Sequence, residues 1–222
     1  MAERKYCKAL PACRAFFIMS NIIDAVKVFS KLLDIEYEII LAKKNKKVKL
    51  NVVFQKEHCH HLLGLQYLED REALNKDRAM IFDKILSGQI SPDFIESSQF
   101  YPKIKERVHY LSMLESIFDD NGTIFKYDEK ENILTSKIKG DYLMSNAVDS
   151  RNIFTFLSKA DEEKYYCRSF FPQTFKDYSY RQKKWTVILK KKIFKKFGES
   201  IVLHDYFAEK ARRAQNWTNP SD

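Results

Sequence analysis

Three of the chain's five histidines fall within four positions, in Glu57-His58-Cys59-His60-His61, directly before the apolar run Leu62-Leu63-Gly64-Leu65. Imidazole titrates near neutral pH, so a histidine held at a strand-to-helix junction is suited to general acid or base work. On a helix His58 and His61 share a face, while His60 points elsewhere. His61, anchored by the apolar residues behind it, is the best placed of the three. A zinc site would need about four ligands, and neither HExxH spacing nor a second Cys/His pair accompanies these residues, so no metal is expected. The plain alternative is a set of exposed or capped histidines at a helix start. Lys56, just upstream, adds a cation for a nucleic acid to meet.

A second constellation is Ser97-Ser98-Gln99-Phe100-Tyr101, followed by Arg107 and His109. Arg107 adjoins the apolar Val108, so its stem can be covered while its guanidinium reaches a cleft. There it would grip a phosphate through two donors and stabilise a phosphoryl transition state. The alternative is a surface arginine lying along apolar neighbours. A third is Tyr165-Tyr166-Cys167-Arg168-Ser169-Phe170-Phe171, where strand alternation puts Cys167 and Ser169 on one face and Tyr166, Arg168 and Phe170 on the other. Arg168 among aromatics suits stacking and phosphate contact. The fourth runs from Arg181 to Lys196, with eight basic residues, no acid, and Tyr178, Tyr180 and Trp185 interleaved or nearby. Tyr180, Arg181, Lys183, Lys184 and Lys190 are its candidate nucleic-acid contacts; the competing reading is lysines that protect a sheet edge from pairing.

These residues need a scaffold, and 222 residues with 45% hydrophobic and 14% aromatic content can bury a substantial core. Lys plus Arg number 39 against 30 Asp plus Glu, a formal charge of +9 that favours a polyanionic partner. Five glycines leave no GxGxxG or GxxxxGK[ST] string, so a dinucleotide fingerprint or P-loop is excluded and no cofactor is expected. The longest uncharged apolar stretch, Ala15 to Ile23, is about half of the ~20 residues a spanning helix needs. With no convincing signal peptide, the expected location is the cytoplasm, without a membrane. Cys7, Cys13, Cys59 and Cys167 lack CxxC spacing and read as thiols.

The hydrophobic pattern changes period along the chain. Asn21 to Leu33 has helical spacing; Ile35 to Ala42 and Val48 to Phe54 read as a hairpin turning at Lys43 to Lys47, where Asn45 tolerates a turn conformation. Helical segments follow at His58 to Leu68, Ala79 to Leu86, near Ile95, and as one long helix from Ile104 to Phe118, ended by Asp119-Asp120-Asn121-Gly122. Six strands are then expected, at Thr123 to Tyr127, Ile133 to Ile138, Asp141 to Ser145, Ile153 to Leu157, Tyr165 to Phe171 and Trp185 to Leu189, before a helical tail from Ile201 to Ala214. The expectation is an α+β fold: N-terminal helices, with an early β-hairpin, packed on a C-terminal antiparallel sheet. Residues 1–47 extend the core, 48–196 form the main domain and 197–222 a C-terminal helix and tail.

The order of Leu50-Asn51-Val52-Val53-Phe54, His61-Leu62-Leu63-Gly64-Leu65, Ser98-Gln99-Phe100-Tyr101 with Arg107, Asp141-Tyr142-Leu143 and Ser169-Phe170-Phe171 before a lysine-rich strand resembles a phage-associated branch of the barnase, EndoU, colicin and RelE-like (BECR-fold) nucleases. The resemblance covers roughly Val48 to Leu189. It implies a metal-independent ribonuclease site in the cleft between helices and sheet, in a toxin or conflict effector that cuts RNA and is restrained by an antitoxin or immunity protein. By position, the resemblance makes His61 the general acid or base, Arg107 the phosphate-binding group and Ser169 a polar lining group, with Ser98, Tyr101 and Tyr142 as further candidates. Cleavage would proceed by attack of the 2′-OH on the adjacent phosphorus, with Tyr142 or Lys56 available beside His61 and Arg107. A non-catalytic module gripping nucleic acid or protein on the same fold is the alternative, and transfer of a nucleotide-derived group a distant third.

Overall fold

The computed structural model describes residues 21–131 and 138–218. Helix α1 (Ile22–Leu32) starts at a capping box in which Asn21 Oδ1 accepts the Asp24 N–H at 2.9 Å and the Asp24 carboxylate accepts from the Asn21 N–H. Its buried face is Ile22, Ala25, Val26, Phe29 and Leu32, at the helical spacing read from the sequence. Strands β1 (Ile35–Lys43) and β2 (Lys46–Val53) form the expected hairpin. The turn residue with positive φ is Lys44, at 51°, rather than Asn45.

A helical layer follows: α2 (Lys56–Leu63), α3 (Arg78–Leu86), α4 (Pro92–Glu96), α5 (Lys105–Leu111) and α6 (Leu114–Asp119). The long helix expected from Ile104 to Phe118 is two. Ser112 Oγ donates to the His109 carbonyl at 2.6 Å, and Met113 leaves the helical region at φ −106°, ψ 6°. The break lets α5 pack on β6 while α6, in the same core, reaches Tyr37 of β1. Gly122, past the end of α6, has no positive φ; a Cβ there would lie 2.5 Å from Asn146 Oδ1, so close approach explains the glycine.

Strands β3 (Thr123–Lys126), β4 (Tyr142–Val148), β5 (Arg151–Lys159), β6 (Lys164–Pro172), β7 (Lys183–Phe194) and β8 (Glu199–Asp205) complete the sheet, and α7 (Tyr206–Thr218) ends the description. The expected strand from Ile133 to Ile138 lies almost wholly outside the described residues. The expected helix from Ile201 to Ala214 is strand up to Asp205 and helix only afterwards.

The α+β class holds, but the sheet is neither open nor wholly antiparallel. Its order is β1-β2-β6-β5-β4-β3-β7, and β7 pairs back onto β1, closing a seven-stranded barrel with β8 added outside on β7. β1 and β2 are therefore neighbouring staves of this barrel. Twelve-residue β7 makes closure possible: β1 runs along one edge while β3 and β8 share the other. The parallel seam is short, pairing Asn51–Val53 with Lys164–Tyr166, and its long crossover carries the helices.

One face of the barrel wall shares a core with the helices, including Tyr37, Ile39, Leu50, Val52, Met144, Leu157, Cys167 and Phe170. The other face carries an aromatic cluster, Tyr127, Leu143, Phe154 and Phe156, flanked by Phe171 and Tyr178. Cys59 and Cys167 are buried free thiols, and burial pushes both up. Among the described residues no helix is long and apolar enough to cross a membrane.

Candidate active site

At the parallel seam β2 stops at Val53, while β6 runs on to Pro172 with its edge unpaired on that side. Helix α2 begins three residues after β2 ends and lies against this edge. The wedge between them is a cavity of about 260 Å³ lined by Glu57, His58 and His61 of α2, Arg78 at the start of α3, and Tyr166, Cys167 and Arg168 of β6.

A β-bulge shapes the β6 wall. Cys167 pairs with Leu157 and Ser169 with Phe156, so Arg168 is the extra residue. The bulge overturns the simple alternation: Tyr165, Cys167 and then Phe170 face the helical core, and Ser169 takes the register position of Phe156 on the second cluster's face. Arg168, freed from the alternation, reaches the cavity and donates to Tyr166 Oη at 3.2 Å. Tyr166 in turn stacks on His58, ring centroids 4.8 Å apart and planes 20° apart.

Arg107 comes from α5. Its Nη1 donates to the Phe170 carbonyl at 3.1 Å, on the unpaired part of β6, and the guanidinium lies 5.5 Å and 5.4 Å from the ring centres of Tyr67 and Phe171. Burial lowers its pKa, yet a guanidinium stays charged at any working pH. Gly64 makes this approach possible. It caps α2 in the left-handed region at φ 83°, and a Cβ there would stand 3.0 Å from Ile104, 3.1 Å from Tyr67 and 3.2 Å from the Arg107 stem. The His-Leu-Leu-Gly-Leu string is thus a helix end that brings His61 and Arg107 together.

His61 is half-buried. Desolvation first, then the charges of Arg107, Arg78, His60 and Arg168, push its pKa down from the ordinary histidine value, which favours the neutral imidazole. His58 and His60 are also shifted down by burial. The three histidines divide their roles. His60 Nε2–H donates to the Leu74 carbonyl at 2.7 Å, tying α2 to the turn before α3; His58 stacks; His61 faces the arginines.

The remaining candidates lie elsewhere. Tyr142 is buried in the main core, edge-on to Tyr165 and Trp185, and burial pushes its hydroxyl up to about 12. Lys56 is ion-paired to Asp83 at 2.8 Å. Ser98 is buried and donates to Asp70 at 2.5 Å, stitching the loop before α5, while burial first and then the charge of Glu96 raise the Tyr101 hydroxyl to about 12. Tyr180 and Arg181 stack on each other in the β6–β7 loop, with Arg181 at φ 60°. Lys183 and Lys184 are exposed on β7. Lys190 is a correction: it is 2% exposed and donates inward to the Asp120 carbonyl at 2.6 Å, so it offers nothing to a nucleic acid. Lys192 is likewise turned inward, between Glu115 at 2.7 Å and Asp119 at 2.8 Å.

Arg78, Glu57 and Tyr166 join the site without having been expected there from the sequence. Glu57 stands four residues before His61, one turn away on the same helix face, and that spacing is a usable signal. Arg78 carries none, because only tertiary packing brings the start of α3 to the cavity. Among the described residues, no group of three or more His, Cys, Asp or Glu side chains is placed to hold a metal ion.

Compared with known proteins, the chain matches one family model, described as phage-Barnase-EndoU-ColicinE5/D-RelE like nuclease 4, over residues 21–206. No curated protein and no solved structure gives a significant match.

Proposed function

Because the chain belongs to the phage-Barnase-EndoU-ColicinE5/D-RelE like nuclease 4 family, we propose that it is a metal-independent endoribonuclease whose reacting groups stand in the α2–β6 cavity. The observation that supports this reading is the convergence of Arg78, Arg107 and Arg168, from three separate elements, on one half-buried neutral histidine. A scissile phosphate brings the counter-charge that these three arginines, none of them ion-paired among the described residues, lack.

In the proposed reaction His61 takes the proton of the ribose 2′-OH, which attacks the adjacent phosphorus in line and expels the 5′-oxygen, which takes a proton from water as it leaves. A lowered pKa keeps His61 ready as a base at neutral pH. The arginines hold the phosphate and stabilise the charge that grows on its oxygens and on the leaving group, in a wedge partly closed to water. The phosphate's own charge raises the His61 pKa as the complex forms, which strengthens it as a proton acceptor. The His58–Tyr166 stack forms a wall for a base. The setting for such an activity would be a toxin or conflict effector, restrained by an antitoxin or immunity protein.

The test is incubation of labelled RNA with the protein in EDTA, alongside His61→Ala. Fragments ending in 2′,3′-cyclic phosphate, formed by the protein and absent with the variant, are the expected result. Intact RNA that is nonetheless bound in a salt-sensitive way would overturn the catalytic reading and make the chain a binding module.

A further inference from the structure

On the far side of the barrel from His61, with β1 and β2 between on one side and β5, β4 and β3 on the other, two adjoining cavities share Asn121, His204 and Tyr206. One, of about 300 Å³, is walled by Lys184, Trp185 and Gly122; the other, of about 380 Å³, by Glu209, Lys210 and Arg213 of α7. We infer that this groove binds a single-stranded stretch of RNA, holding a substrate at a distance from the cleavage site; the identity of the ligand as RNA rests on the ribonuclease reading.

Three observations carry the inference. First, the groove's cations are available. Among the described residues Lys184 and Lys210 engage no acid, whereas Lys190, Lys191 and Lys192 on the same strand as Lys184 are committed to Asp120, Glu38, Glu115 and Asp119. Arg213 is 80% exposed and only 4.0 Å from Glu209 at its nearest. Second, the aromatic groups are of the kind on which bases stack: Trp185 is half-buried with its ring edge-on to Tyr142, and Tyr206 is 37% exposed.

Third, the groove has a rigid floor. His204 Nε2–H donates to the Val187 carbonyl at 3.1 Å, while its Nδ1 lies 2.6 Å from the Asn121 amide and 2.7 Å from Glu209. This ties β8 to β7 and sets Asn121, just before β3, and Glu209 of α7 against the same ring nitrogen, which bonds one of them at a time. From Tyr206 to Gln215 the α7 side chains other than Glu209 are exposed, with Asp205 accepting the Phe207 and Ala208 N–H groups at the helix start. A helix that buries so little and carries Lys210, Arg212 and Arg213 is placed to meet a phosphate backbone.

The test uses the full chain carrying His61→Ala, so that RNA stays whole, and a fluorescently labelled ten-nucleotide single strand, within the ~4–16 nucleotides that such grooves cover. Lys184→Ala/Lys210→Ala/Arg213→Ala is compared with a charge-matched control, Lys27→Ala/Lys46→Ala/Lys47→Ala, by anisotropy at several salt concentrations. The groove variant is expected to bind at least tenfold more weakly and to lower the log–log salt slope by about 2, at about 0.7 for each phosphate no longer neutralised; the control keeps the slope of the parent. Tyr206→Ala is expected to weaken binding by about tenfold, and Tyr206→Phe to restore it. Equal affinities and slopes for groove variant and control would overturn the inference and leave the groove a solvated charged face. Because the readout is binding, that result is separate from loss of cleavage, which bears on His61 alone.

Discussion

The α2–β6 wedge and strand β7 are both rich in positive charge, and they are built in opposite ways. In the wedge, Arg78 and Arg168 line the cavity and Arg107 acts on His61 from α5, all three from positions far apart in the chain, with no carboxylate among the described residues within ion-pair distance of them. On β7 the basic residues are consecutive, yet alternation divides them: Lys190 and Lys192 face α6, Lys191 pairs with Glu38, and Lys183 and Lys184 remain open. Charge that is dense in sequence is largely neutralised in space, while charge that is scattered in sequence is concentrated. The first kind holds the barrel against its helices; the second stands at the proposed site.

The most direct way to break this contrast is to remove charge from each side. His61→Ala is expected to lower RNA cleavage by about 10²–10⁴-fold, and Arg107→Ala by about 10²–10³-fold, with little change in the urea midpoint for His61→Ala. Lys192→Ala should do the reverse. It leaves Glu115, Asp119 and the Tyr37 hydroxyl that donates to Asp119 at 2.6 Å without their cation, for a loss of about 3 kcal/mol in urea unfolding. If cleavage by the folded Lys192→Ala protein fell as far as that of His61→Ala, the division of labour would be wrong.

Gly64→Ala sharpens the comparison from the wedge side. The left-handed φ and the 3.2 Å approach of the Arg107 stem make alanine strained there, with an expected cost of about 2 kcal/mol. Displacement of Arg107 should lower cleavage beyond what the lost stability explains, measured at a temperature where the variant is fully folded.

A smaller effect is expected from pH. His58, His60 and His61 all have folded pKa values below their unfolded value of about 6.5, so the unfolded chain binds more protons as pH falls. The stability they contribute is complete above about pH 6.5 and declines as pH drops through the folded values. Urea midpoints measured from about pH 7.5 to 5 should fall, and should fall less in His60→Gln. For cleavage, kcat/KM should lose activity on an acid limb placed below the ordinary histidine value.

How far the sequence disclosed this arrangement depended on the range of the interactions. α1, the β1–β2 hairpin and β4 to β6 were legible, because a burial period within one element and turn residues between elements are local signals. His61 and Arg107 stand out by residue type and neighbours. Closure of the barrel was not legible, since nothing in β1 or β7 alone announces that they pair. The Arg168 bulge was hidden for a related reason: one extra residue inverts every later side chain, and only the partner strand reveals it. Lys190 and Lys192 mislead because groups at the end of α6, some 70 residues earlier, decide which way each lysine turns. The split at Ser112 depended on one hydroxyl competing for a helical carbonyl.

The pairing of Ile35 with Phe194 also sets a schedule for synthesis. A growing chain can form α1 and the first hairpin early, but that hairpin keeps one open edge until β7 has left the ribosome, and α2 has no β6 wall to lean on until Arg168 has emerged. Contacts of such long sequence separation form late and slowly. The proposed site at His61 is therefore complete only once both β6 and β7 have left the ribosome.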